Sequence, residues 1–359
     1  MSPNVISRLP KTDLHCHLMG TMTAGTFAEL SAKAGLDLPD DPTQIFASIC
    51  SKPADPVAYR DAVIPVPTEP APDEPDPAYS LFVVSDWARR SLVDPEDFAR
   101  LTYEACANAF HSSNTRHLEM SIDPHEDYWR LDYGQALEAY VAGIKRAEEE
   151  FGMTARLLQA IDRSKSGEDA VRAVRQAVEH PNEYLVGIGL DNLETSGPPE
   201  RFAEAYALAE SAGLRRTAHS SEHAISAQNT ITCLDLLHCD RIDHGYFVLQ
   251  DQEVITRCAA EEVPFTVIST TSRRSLRPWR RASIKAMHDA GLTLCLSSDD
   301  PGMFPTTLAN EYRIAEEQIG LSTEQLVEIC VNGWRASWLP EEDKQARIDE
   351  VREVVAAAR

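Results

Sequence analysis

"LPKTDLHCHLMGT" (residues 9–21) sets two histidines one residue apart at the end of a run that reads as a β-strand. Side chains at i and i+2 leave a strand on the same face. His15 and His17 would therefore project together, with Leu14, Cys16 and Leu18 on the opposite side. Two imidazoles so placed are half of a metal site. A lone H-x-H is more often incidental than a ligand pair, so the rest of the chain must supply the other ligands.

Short apolar or β-branched runs recur downstream: "NTRHLEMSI" (114–122), "TARLLQAI" (154–161), "EYLVGIGL" (183–190), "LRRTAHS" (214–220), "DRIDHG" (240–245), "PFTVIST" (264–270) and "LTLCLSSD" (292–299). Helix-like stretches lie between them, such as "GQALEAYVAGIKRAEEEFG" and "PPERFAEAYALAESAG", the latter opening on Pro and closing at Gly213. Counting the 9–21 run, this makes eight strands alternating with helices. The expected fold class is α/β: a (β/α)8 TIM barrel, in one domain spanning residues 1–359. Residues 19–113, between the first two strands, exceed one crossover. "TAGTFAELSAKAGL" and "DPEDFARLTYEACANAF" read as helices there. The middle, "IPVPTEPAPDEPDPAYS" (64–80), carries six prolines and four acids. Such composition packs poorly and favours a surface loop. The sharper reading makes the insert partly a lid over the barrel mouth, because long loops at that face often carry function.

The formal net charge of −23 argues against polymeric nucleic acid and anionic membrane as partners. Eight cysteines without a C-x-x-C pair argue against a cysteine zinc cluster, and most read as small buried residues in a reducing compartment. The N-terminal "MSPNVISRLP" has no hydrophobic core of a signal peptide, and no 18-residue apolar stretch occurs, so the expected location is cytoplasmic. A homo-oligomer is left open.

A barrel predicts chemically useful residues at the C-terminal ends of its strands. His15 and His17 end the first. "AHSSEH" ends the fifth with His219 and Glu222. "RIDHGY" ends the sixth with Asp243 and His244, and "SSDDPGMF" the eighth with Asp299 and Asp300. Each has a bland alternative: a hydrogen-bonded rim histidine, a helix cap at Asp243, or an Asp-Asp-Pro helix start. Four such coincidences at the correct strand ends are hard to accept together. Three imidazoles and one carboxylate, from His15, His17, His219 and Asp299, suit Zn2+, with iron or manganese as alternatives. A metal-bound water would have its pKa lowered to about 7. Strand four lacks the bridging lysine of many two-metal barrels, so one ion per chain is expected. Glu222, His244 and Asp300 remain for substrate; a carboxyl buried against an apolar wall would stay protonated and act as an acid.

From "LPKTDLHCHLMGT" to "SSDDPGMFPTTLANEY", the chain resembles the adenosine/adenine deaminases of the amidohydrolase superfamily. The resemblance implies a single zinc held by His15, His17, His219 and Asp299, and hydrolytic loss of an exocyclic amino group from a small aminopurine. It makes Glu222 the donor to the ring nitrogen, His244 the partner of the attacking water, Asp299 the acceptor of its proton, and Asp300 the contact to the five-membered ring. Met19, Gly20, Asp191 and His17 would line the substrate. "GLDNLETSGPPERF" (189–202) resembles the adenine branch. Three stretches depart from the family: Met19 replaces an acid, "HSSE" replaces His-Ala-Gly-Glu, and "ISTTS" (268–272) replaces Cys-Pro-x-Ser-Asn. All three are expected around the pocket, which points to a retained reaction on a changed substrate, such as an N6-substituted adenine. The alternatives are an adenosine or modified-nucleoside deaminase, another mononuclear metallohydrolase, or a decayed purine binder. Arg273 and Arg274 in "TTSRRSLRPWRR" (270–281) could meet an anionic group, although the run reads more simply as a solvated face.

Overall fold

The structure is a computed structural model that describes residues 5–50, 62–67, 79–123, 131–271 and 276–358. Eight parallel strands form its centre: β1 (Lys11–His17), β2 (Thr115–Ile122), β3 (Thr154–Asp162), β4 (Leu185–Asp191), β5 (Arg215–Ser220), β6 (Arg241–His244), β7 (Pro264–Val267) and β8 (Thr293–Leu296). They pair in sequence order. The ring closes just beyond β8: His17 N–H donates to the Asp299 carbonyl at 2.9 Å, and Asp299 N–H to the His15 carbonyl at 2.9 Å. Ser298 adds to the closure by donating through its hydroxyl to Asp13 at 2.5 Å. All eight expected runs are strands of this barrel.

The pattern arises because strands covered on both faces need apolar or hydrogen-bonded side chains throughout, as parallel sheets do. Ile188, Leu190, Ala218, Ile242, Phe265, Val267, Leu294 and Leu296 pack outward under the helices. Inside the barrel, Arg241 bonds Glu119 at 2.5 Å, both fully buried, and stacks over Trp338. A buried charge pair is stable where further hydrogen bonds offset its desolvation. Here Arg241 also donates to the Leu14 carbonyl at 2.8 Å, and Glu119 accepts from Trp338 N–H at 2.8 Å.

Between β1 and β2 the expected helices are present as Ala24–Ala34 and Pro95–Ser113, the latter started by an Asp94/Asp97 capping box with Pro95 in its first turn. Two further helices, Pro42–Ala47 and Leu81–Ser91, were not legible. The expected helix after β4 is split, with a 3-10 turn Pro199–Phe202 preceding Ala203–Ser211. Of the proline-rich stretch, residues 68–78 lie outside the described residues, while Ile64 and Val66 pack on the core. The seven described cysteines are buried and unpaired, and no described helix is long and apolar enough to cross a membrane.

Candidate active site

The strand ends place His15, His17, His219 and Asp299 in one cluster, one ligand atom of each lying within 4.8 Å of all the others. The Nε2 atom of His219 is 3.2 Å from that of His15 and 3.3 Å from that of His17. Asp299 Oδ1 is 3.6 Å from His15 Nε2 and 3.3 Å from His17 Nε2. Those separations match the edge of a tetrahedron with bonds of about 2.0–2.1 Å.

The far side of each ring explains why these nitrogens face one another. His15 Nδ1 lies 3.0 Å from the Thr266 hydroxyl, which itself donates to Asp243 at 2.7 Å. Asp191 stands 3.2 Å from His17 Nδ1 and 3.7 Å from His219 Nδ1. With acceptors bonded on the Nδ1 side of His15 and His17, and the carboxylates of Asp191 and Asp243 at 3.7 and 3.8 Å from that of His219, the rings present their Nε2 lone pairs to the centre. Lone pairs converging without a proton or cation between them repel, so the donor set fits a divalent metal. Burial first, opposed by Asp243 and Asp299, pushes His15 down to about 4, so this ring is neutral, as a ligand must be.

Asp243 is thus no helix cap but an inward support for His15 through Thr266. Asp191, expected to touch substrate, turns its carboxylate to two rings. It also lines the cavity, and its Oδ2 holds the His17 ring.

A cavity of about 290 Å³ opens above the cluster, lined by His17, His219, Asp299, Glu222, His244, Asp300, Met19 and Gly20 among others. From the long insert, Leu81, Phe82, Ser85 and Arg89 of helix Leu81–Ser91 also face it. Backbone shape matters at this rim. Asn192, Ser221, His244 and Asp299 have φ of 76°, 53°, 70° and 62°, in the left-handed region that non-glycine residues rarely adopt. Such strain persists only where surroundings over-determine it, and it concentrates at functional sites. Gly20 leaves the space that the Asp300 carboxyl occupies; a Cβ there would overlap it. Burial, then the adjacent Asp299, raises Asp300 well above the usual carboxylate range, leaving it a proton to donate.

The surroundings of Glu222 differ from the expected apolar wall. Arg280 Nη2 donates to its Oε1 at 2.6 Å, His223 Nδ1 lies 2.9 Å from its Oε2, and His244 Nε2 lies 3.5 Å from the same oxygen. Burial alone would raise this carboxyl, but His223, His244 and Arg280 outweigh it and hold Glu222 well below the usual range. Burial also lowers His244, which is neutral. The reason for the difference is long-range: Arg280 comes from helix Arg277–Asp289.

Glu194 lies in the "GLDNLETSGPPERF" stretch (189–202). Its buried carboxylate accepts from the backbone N–H groups of Ser221, Glu222, His223 and Ala224 at 2.7–2.9 Å and from Asn229 at 2.8 Å. It thereby fixes the strained turn that aims Glu222. Glu194→Gln would keep one accepting oxygen but turn an NH2 group toward N–H donors, leaving part of this set unsatisfied. We expect turnover to fall ~10–100-fold, consistent with leaving buried donors unsatisfied at about 1–3 kcal/mol. Metal content should be unchanged; comparing kcat with metal stoichiometry checks this.

The departures from the family pattern divide. Met19 lines the cavity. Ser221 instead donates to the Ser226 carbonyl at 2.7 Å, and both Ser220 and Ser221 lie beside Thr230, away from the cavity. Ser269 and Thr270 bond Glu311, and only Thr271 of that stretch faces the cavity. Arg273 and Arg274, like Ser272, lie outside the described residues. The solvated-face reading of that basic run fails at Arg280, which is 3% exposed. The available signal was spacing: Arg280 shares a helix face with buried Ser283, Ile284 and Met287.

Fold and site together define a barrel hydrolase of the amidohydrolase kind, acting on carbon–nitrogen bonds of cyclic amidines. The sequence profile described as adenosine deaminase matches residues 77–354, and the chain belongs to that family. It is 30% identical to an adenine deaminase of Ralstonia nicotianae, covering 96% of this chain and 95% of the relative. It is 31% identical to one from Streptomyces coelicolor, covering 97% and 95%. Among solved structures, an amidohydrolase from Burkholderia ambifaria with bound Zn superposes with a TM-score of 0.83 at 28% identity, covering 98% of this chain and 93% of that one. An adenine deaminase from Arthrobacter aurescens gives 0.81 at 25%, covering 97% and 99%.

Proposed function

We propose that this protein is a zinc-dependent aminohydrolase that replaces the exocyclic amino group of adenine or a related 6-aminopurine with oxygen, releasing ammonia. The observation that carries the reading is the convergence of four metal-suited donors with Glu222 and His244 on one cavity. The adenine deaminases among its relatives and the zinc in a structural neighbour support it.

His15, His17, His219 and Asp299 would hold the ion. When bound, it would acidify a water and polarise it for attack. His244, neutral and between Glu222 and the cluster, orients that water over the amino-bearing carbon. Asp299 takes the proton that the water loses and returns it to the departing amine. Glu222, ionised at rest beside Arg280, accepts a hydrogen bond from the ring nitrogen next to the attacked carbon where that nitrogen carries hydrogen, and otherwise relays to it the second proton of the attacking water as the carbon becomes tetrahedral. Asp300 donates to a nitrogen of the five-membered ring. Met19 and Gly20 form the wall, and helix Leu81–Ser91 the cover that keeps bulk water out. The single-domain reading, with the insert as partial lid, belongs to this proposal.

An ammonia-release assay over adenine, adenosine, N6-substituted adenines and oxo-substituted aminopurines tests it. Turnover of at least one free aminopurine by zinc-loaded protein is expected. Silence across the whole panel from folded, metal-loaded protein would sink the proposal.

A further inference from the structure

Arg280 is the charge that the chemistry above leaves unused. It is 3% exposed, yet it lines the same cavity as the metal cluster. A guanidinium carries five N–H groups in a fixed plane. Nη2 donates to Glu222 Oε1 at 2.6 Å and Nη1 to the Tyr246 hydroxyl at 3.1 Å. Tyr246 is itself anchored, donating to the Ile268 carbonyl at 2.8 Å and accepting from Ile268 N–H at 3.1 Å. Arg280 Nε has no partner among the described residues. Thr271, 7% exposed and on the same cavity wall, has a hydroxyl that likewise has no partner among the described residues. Buried polar groups without partners are costly, so two of them on a ligand cavity ask for an acceptor from the ligand.

The Glu222–Arg280 pair sets a carboxylate acceptor beside guanidinium donors. The complement of that pattern is a ring N–H followed by a carbonyl, the edge of a cyclic lactam. In a 6-aminopurine the ring nitrogen next to the amino-bearing carbon is N1, and the next ring atom is C2. If Glu222 engages N1, as the proposed function requires, Arg280 lies toward C2. Adenine offers a C–H there, which leaves the guanidinium unanswered. An oxo group at C2 would accept from it in a charge-assisted bond.

We propose that Arg280 is a specificity-determining residue and that the substrate is a 6-aminopurine bearing an oxo group at C2. This rests on the aminohydrolase reading. The net reaction is 6-amino-2-oxopurine plus water giving 2,6-dioxopurine plus ammonia; the C6–N bond breaks, a C6–O bond forms, and no oxidant is consumed. Arg280 takes no part in bond making. It holds the C2 oxygen and keeps Glu222 turned to N1.

The test compares 6-amino-2-oxopurine with adenine on the metal-loaded enzyme, Arg280→Met and Arg280→Lys. The natural chain should favour the oxo compound in kcat/KM by ~10²-fold or more, since a site built to hydrogen-bond a group rejects the analogue lacking it. In Arg280→Met that preference should collapse toward unity, and Arg280→Lys should keep part of it. Binding supplies a readout independent of turnover. The 2,6-dioxopurine product should bind the natural chain about tenfold tighter than 6-oxopurine, by calorimetry, and equally in Arg280→Met. Should Arg280→Met not fold, the two comparisons on the natural chain decide the matter. Equal use of adenine and the oxo compound, or an Arg280→Met loss identical on both, overturns the inference and leaves the aminohydrolase reading standing. No ammonia from either compound or from other aminopurines overturns that reading instead.

Discussion

Glu222→Gln should lower kcat by about 10³-fold, within the 10²–10⁴ range typical of a positioned acid–base group, while the metal stays bound. Glu222 is outside the four-donor cluster, so its loss leaves the ligand atoms in place. The substituted amide can still accept from Arg280 through its oxygen, which keeps the buried guanidinium paired and the fold intact. What it cannot do is exchange a proton with a ring nitrogen. The effect should therefore fall on kcat, with KM changed only a few-fold, because the interaction grows as the carbon becomes tetrahedral. Metal analysis, melting temperature and steady-state kinetics on one preparation check all three parts. A variant within tenfold of the natural enzyme would show that the ring nitrogen finds its proton elsewhere and that Glu222 is merely the counter-ion of Arg280.

Removing the metal should have a comparable or larger effect. Dialysis against a chelator is expected to take activity to background, and about one equivalent of Zn2+ per chain to restore it. Two equivalents would indicate a second ion, for which β4 offers no bridging lysine. The chelated protein should also lose stability. An ion present at a thousandfold excess over its dissociation constant stabilises the folded state by ~4 kcal/mol, and its removal forfeits that. The structural reason lies in the converging Nε2 atoms of His15, His17 and His219. Without a cation they must share protons or repel, and His17, drawn up by Asp191 and Asp299 against its burial, becomes the proton holder. Zinc binding should therefore release protons, and apparent affinity should rise with pH through the range where His17 titrates. A calorimetric titration in two buffers of different ionisation enthalpy measures that release. Full activity after verified metal loss would remove the basis of the proposed chemistry.

Much of this protein is written locally. The spacing of apolar runs dictates alternating strands and helices, and eight of them in parallel order close into one barrel. The two-residue period sends His15 and His17 to one face, and the ends of β5, β6 and β8 deliver His219, His244 and Asp299 to the same rim. Those assignments rest on covalent geometry, which a sequence carries in full. What surrounds each group is another matter. The wall beside Glu222 is a guanidinium 58 residues away in sequence. The carboxylate that shapes the Glu222 turn comes from 28 residues before it. Ser220 and Ser221 lie beside Thr230, away from the pocket, with Ser221 at φ of 53°, and Asp191 reaches the cavity wall while facing two imidazoles. Strand period fixes the side from which a residue leaves the backbone. Only closure of the barrel, with its particular stagger and loop paths, decides which distant charge waits on that side, and it is this neighbour that sets protonation and selectivity.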